Sequence, residues 1–347
     1  MNHIAELTHE DIQILLQLAS ELNENSTDNP ELFCNKAKIL SQKLPLHIKN
    51  ILTRFSTFGS PSGFLLIKTI PIENLPPTPD NNNQKIGEQT MLARIQAILI
   101  SFFSELIAYE AEGYGRLFQD VVPTQSMSKN QTSLGSNTEL EIHTEQAFSK
   151  LRPDFLSLAC LRGDKQALTY ILPVQTIMQN ILEEEKLLLR EPLWNTGVDL
   201  SFKLHGNEFI EGDIRGPLSI LHLCTFKTPT SWAVMSERGD ADCAFKMRNG
   251  VNDLQLVFDQ DLMSGTCEKS TAMIQKIIDI YYKHRLNHNL CPGDIIIVDN
   301  RHAVHGRSPF FPKFDGNDRF LIRCFSTLEY DKSSYARVGR MVKAIYS

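Results

Sequence analysis

The sequence predicts a single-domain α+β protein with a mainly β core, a β-barrel decorated by helices. Three observations carry that expectation. From about residue 114 the chain becomes a series of short apolar runs separated by turn signals, the texture of a barrel or sandwich. Only one long helical pattern, 270–289, interrupts these runs, so the alternation expected of repeated βαβ units is missing. The 347 residues are 42% hydrophobic and 22% charged, ample for a sizeable core, and no internal repeat divides them.

Taken in order, residues 1 to about 56 read as helical with a turn near Asn23–Pro30, and Ile12, Leu15, Leu16 and Ala19 form one apolar side. SGFLLIKTI (62–70) is a strand candidate, and the Pro- and Asn-rich stretch 72–85 is a surface loop. TMLARIQAILISFFSELIAYEAEG (90–113) carries apolar residues at helical spacing throughout. It predicts one long helix, apolar enough to pack on the main sheet. Strands are expected at 155–161, 168–174, 219–226, 232–236, 254–258, 294–300 and 319–328. The polar stretch 122–137 has no periodicity, and a loop of that length is usually functional or disordered.

Lys plus Arg number 35 and Asp plus Glu 41, a net charge of −6. That balance argues against a general nucleic-acid binder, which needs a basic face, but leaves room for an acidic pocket. The first residues lack the basic-then-apolar order of a signal peptide, and no apolar stretch is long enough to span a membrane. Seven scattered cysteines, never in CxxC spacing, fit reduced thiols and a cytoplasmic protein. The charge favours neither monomer nor dimer.

The chemistry concentrates in three segments. In ELEIHTEQAF, His143 and Glu145 are two apart, so in an extended strand an imidazole and a carboxylate converge on one face. In IIIVDNRHAVHGRSPF, a buried strand pattern runs into the turn signal Asp299-Asn300, and His305 precedes a glycine that permits close approach. His302 reads as a turn residue. Two histidines and one carboxylate form the facial triad of non-haem Fe(II) oxygenases. A zinc hydrolase uses a similar set, so the triad leaves the reaction open, although no HExxH arrangement supplies a base. In DRFLIRCFSTL, Arg319 and Arg323 share one face of a strand while Phe320, Ile322 and Cys324 share the other. Their Cα atoms start roughly 13 Å apart. Buried arginine is costly without a carboxylate or phosphate partner, so the pair grips two different anions, makes internal salt bridges, or leaves one arginine exposed.

Together with YEAEGYGRLFQDVVP, RPDFLSLACLR and FDQDLM, these motifs resemble the clavaminate synthase-like Fe(II)/2-oxoglutarate dioxygenases, in the amino-acid hydroxylase branch that acts on free lysine, arginine and asparagine. The match runs from about 105 to 328. It implies a double-stranded β-helix (jelly-roll) core over that range, with residues 1–60 a helical extension of one domain spanning 1–347. The resemblance implies that His143, Glu145 and His305 hold Fe(II) and that Arg319, with Thr169, binds 2-oxoglutarate, O2 being the other cosubstrate. Arg323 would receive the α-carboxylate of the amino acid and Glu112 its α-amino nitrogen; for Glu112 a solvated helix end is the other reading.

Asp259 sits where relatives contact the substrate side chain, and Asp261 follows at strand spacing, unless it only opens a turn. The Asp pair that grips guanidinium in arginine hydroxylases lies two residues earlier, where this chain has Val257. A compact ammonium, hence L-lysine hydroxylated at C4 or C3 with release of succinate and CO2, is the expectation. Arginine or a carrier-tethered amino acid is the alternative, and a non-enzymatic jelly-roll binding protein the alternative of another class. The 122–137 loop is a candidate lid.

Overall fold

In the computed structural model, residues 3–72, 75–198, 214–223 and 254–343 are described. A two-residue strand β1 (Ile4–Ala5) and helices α1 (His9–Glu21), α2 (Pro30–Ser41) and α3 (Leu46–Phe58) precede β2 (Phe64–Ile67). Helix α4 (Met91–Ser101) leads into β3 (Glu105–Tyr109), β4 (Phe118–Val121), β5 (Leu140–His143), β6 (Phe155–Arg162) and β7 (Leu168–Pro173). Short helices α5 (Val174–Gln179) and α6 (Glu183–Leu188) follow, then β8 (Trp194–Gly197), β9 (Ile214–Leu218), β10 (Leu221–Leu223), β11 (Leu254–Leu256) and β12 (Met263–Gly265). Helix α7 (Glu268–His284) precedes β13 (Leu286–Asn289), β14 (Ile295–Asp299), β15 (Ala303–Arg307) and β16 (Phe320–Thr327), and β17 (Arg337–Val338) and β18 (Met341–Val342) close the described chain.

The result is an α+β arrangement built on two main sheets. The larger runs β1-β2-β14-β6-β16-β3-β18-β17, with β4 also paired to β16; the smaller runs β13-β7-β15-β5. Period-two alternation sorts the side chains. Along β16, Phe320, Ile322 and Cys324 join the core under α1, α2 and α4, with Leu15, Phe33 and Ile95. Leu321 and Phe325 face the other way, into a layer shared with Ile171 of β7 and Ala303 of β15. On the far side of the smaller sheet, Tyr170, Leu172 and Val304 pack with Ile277 and Tyr281 of α7. Each fully buried Leu, Ile or Phe contributes roughly 1.5–3 kcal/mol, so the helices fix which face of each sheet turns inward. The inner faces of β15 and β16 therefore look at one another.

Three expectations need correction. The predicted helix 90–113 is helix only to Ser101, where β3 begins four residues later. Leu106, Ile107, Ala108 and Tyr109 are all buried because β3 lies inside the sheet, so both its faces are apolar and mimic helical periodicity. The N-terminal helical region breaks a second time before Leu46, where Pro45 starts α3. The pattern 270–289 leaves the helix at His284 and becomes β13, paired antiparallel to β7. The predicted strand 232–236 and the end of 219–226 lie outside the described residues. Among the described residues, no helix is long and apolar enough to cross a membrane.

Candidate active site between the two sheets

His143 ends β5, and His305 is its Cα partner in the middle of β15. Glu145 lies in a turn just past β5, not in the strand itself. The donor atoms of all three still lie within 4.8 Å of one another. Gly306 permits this pairing, because a Cβ there would meet the Leu140 carbonyl oxygen at 2.6 Å.

The protonation states suit a metal. His143 Nδ1 lies 2.8 Å from the Glu141 carbonyl, to which it donates, leaving Nε2 available to a metal. Burial, and then the neighbouring His143, lower the pKa of His305, so its imidazole stays neutral. Burial raises the pKa of Glu145, yet the Arg323 guanidinium and both imidazoles bring its carboxyl down to about 2. Two imidazoles and a carboxylate on one side of a cavity fit Fe(II) with open coordination positions.

The backbone around Glu145 is clamped by residues that sequence reasoning passed over. The Asn300 Oδ1 accepts from Glu145 N at 2.7 Å, and its Nδ2 donates to the carbonyls of Glu145 and Pro153 at 3.1 and 2.9 Å. The Thr144 backbone N–H donates to the Phe258 carbonyl at 2.7 Å. Gln146, with φ +53°, donates to Glu112 Oε2 at 2.8 Å. The Asn300 signal was visible only as a turn dipeptide; for Gln146 and Gln119 the sequence offered none. His302 is a turn residue as expected, its Nδ1 2.9 Å from Asp299 Oδ2.

The arginines divide in a way alternation alone left open. Both turn into the cavity, but Arg323 is paired: it bonds Glu112 Oε1, Gln119 Oε1 at 3.1 Å through Nε, and Glu145 Oε1 at 3.4 Å. Arg319, 6% exposed, makes no ion pair among the described residues, and burial lowers its pKa to about 10. Thr169 lines the same end of the cavity, and its Oγ1 is buried with no hydrogen-bond partner among the described residues. An anion with two separate acceptor groups would satisfy that end and the metal together. Glu112 is buried at 4%, in a turn after β3 rather than at a solvated helix end.

Asp259 is buried beside His143, with which it forms a backbone bridge, and its Oδ1 accepts from Leu262 N at 2.9 Å. Asp261 is exposed, and its charge helps raise the pKa of Glu141 after burial. Neither aspartate is in the cavity wall formed by the described residues.

Residues 96–325 match the taurine catabolism dioxygenase TauD, TfdA family. The chain is 41% identical over 344 residues to an L-lysine 3-hydroxylase of Catenulispora acidiphila, covering 98% of this chain and 89% of that one. It is 27% identical to an L-asparagine oxygenase of Streptomyces coelicolor, covering 95% and 91%. Among solved structures it resembles an asparagine oxygenase in complex with Fe(II), 3-hydroxyasparagine and succinate (TM-score 0.83, 24% identity, 99% and 100% covered). It also resembles the non-heme iron oxygenase OrfP with Fe and alpha-ketoglutaric acid (TM-score 0.78, 21% identity, 98% and 99% covered).

Proposed function

Because this chain belongs to the TauD, TfdA dioxygenase family, we propose that it hydroxylates free L-lysine at C3, consuming 2-oxoglutarate and O2 and releasing succinate and CO2. The 41% identity over nearly the whole chain to an L-lysine 3-hydroxylase carries the reading. In this reading the two facing sheets are a double-stranded β-helix, 105–328 is the catalytic core of one domain, and residues 1–60 are a helical extension.

His143, Glu145 and His305 would hold the iron, which when bound supplies the oxidative chemistry at an unactivated carbon. The protein's own contribution is position. Arg319 and Thr169 would take the distal carboxylate of 2-oxoglutarate, which supports the reading by providing the anion that Arg319 lacks. Arg323 and Glu112, paired with each other here, would open to receive the α-carboxylate and α-ammonium of the substrate. Exchanging one internal ion pair for two with the zwitterion keeps every buried charge compensated. Fixing that end sets which carbon faces the metal. The ε-ammonium would reach toward Asp259, with Asp261 contributing from outside.

The test is turnover of the twenty free amino acids by the Fe(II)-loaded protein, with mass detection of one added oxygen and NMR location of the new hydroxyl. A 3-hydroxylysine product is the expected result. Oxygen at C4 would correct the position, and product from arginine alone would refute the lysine assignment.

A further inference from the structure

Arg307 also lines the cavity. It stands two residues past His305 on β15, so it shares the inward face, and Thr169 is its Cα partner on β7. It is 4% exposed and makes no ion pair among the described residues. Its guanidinium instead donates to three backbone carbonyls: Nε to Ser308 at 3.1 Å, one terminal nitrogen to Gly135 at 2.7 Å, the other to Thr138 at 3.2 Å. Gly135 sits where any side chain would strike the Asn130 carbonyl, with a Cβ only 2.3 Å away. The tip of the long polar segment is thereby folded tightly onto Arg307, with Ser133 in the cavity wall.

Guanidinium has five N–H donors, so three bonds leave two unused. Arg319 is close by: the guanidinium carbons of Arg307 and Arg319 lie 5.0 and 5.7 Å from the centroid of one ring, Phe310. Two buried cations without a carboxylate between them among the described residues, beside a Thr169 hydroxyl that has no partner there, are costly until an anion arrives.

We propose that Arg307 is a positioning residue for 2-oxoglutarate, sharing its distal carboxylate with Arg319 while fastening residues 133–138 over that end of the cavity. The inference rests on the 2-oxoglutarate reading above. It makes closure of this segment depend on the cosubstrate: the anion draws the guanidinium inward, and the same guanidinium holds the Gly135 and Thr138 carbonyls.

Anaerobic calorimetry of 2-oxoglutarate binding to the Fe(II)-loaded protein, with hydrogen exchange across 128–138, tests it on the wild type, Arg307→Gln and Arg307→Lys. In Arg307→Gln the Kd should rise about ten-fold, the loss of one charge-assisted hydrogen bond. Exchange at 133–138 should rise and no longer slow when 2-oxoglutarate is added, while Fe(II) affinity and the KM for lysine stay unchanged. Arg307→Lys should recover part of the affinity and none of the protection, because an ammonium cannot span both carbonyls as the fork does. An Arg307→Gln Kd within about two-fold of wild type overturns the inference, as does a parallel fall in Fe(II) affinity, lysine binding and thermal stability. Failure of the wild type itself to bind 2-oxoglutarate overturns the underlying reading, and the inference with it.

Discussion

Asn300 offers the sharpest test of how the metal end of the site is held. Its side-chain amide pairs with both backbone groups of Glu145 and with the Pro153 carbonyl, at 2.7 to 3.1 Å and with 1% exposure. Truncation in Asn300→Ala removes three hydrogen bonds worth roughly 0.5–1.5 kcal/mol each and strands three buried polar groups. A loss of about 2–4 kcal/mol in folding stability follows. Because Glu145 then rotates freely, Fe(II) affinity should fall about 10- to 100-fold, as for other groups that orient a metal ligand. Asn300→Asp separates this account from simple cavity formation. It preserves volume and the bond from Glu145 N, but turns an acceptor toward two carbonyl oxygens.

Repulsion there raises the pKa of the new carboxyl in the folded state above its unfolded value. The unfolded chain then binds fewer protons than the folded one, so stability should fall as pH rises from about 4 toward 7. Urea unfolding of the apo protein at both pH values, with Fe(II) titration at the higher one, reads all of this. Asn300→Asp should be worse than Asn300→Ala at neutral pH and recover on acidification. An Asp variant closer to wild type than the Ala variant at neutral pH would refute the clamp.

Three further outcomes follow from the same geometry. Arg319→Met should stabilise the apo protein by about 1–4 kcal/mol, since it removes a buried cation that has no carboxylate partner among the described residues, and should abolish the thermal shift that 2-oxoglutarate gives the wild type. Asp259→Ala should raise the KM for lysine more than for an uncharged amino acid; an equal loss on all substrates would reduce Asp259 to the turn it builds with Leu262. Gly306→Ala would force β5 and β15 apart against the Leu140 carbonyl, costing about 1–3 kcal/mol of stability, and Fe(II) titration of the folded fraction should show weakened binding.

Much of this was legible before any coordinates, and for local reasons. Period two in DRFLIRCFSTL is enough to put Arg319 and Arg323 on the face opposite Phe320, Ile322 and Cys324, and the two faces of β16 are divided in that way. The i, i+2 spacing of His143 and Glu145 likewise brings both donors together, even though the strand stops at His143. What misled was also local. Apolar residues on both faces of β3 look like helix because periodicity cannot tell a strand buried on both sides from a buried helix turn. The strand appears only when β16 lies alongside it.

The residue types of the candidate metal site, the inward direction of its arginines and the β character of the core were thus determined by the sequence itself, since each depends on neighbours within a few positions. Tertiary structure alone decided the partners. Arg323 meets Glu112 from 211 residues away, Asn300 clamps Glu145 across 155, and Arg307 holds the tip of the polar segment across 172. Arg319, with the same chemistry as Arg323, is left without a carboxylate among the described residues. Burial makes a charge expensive wherever it falls, but which charges are neutralised depends on which loops the closed sheets bring over them. No pattern along the chain encodes that.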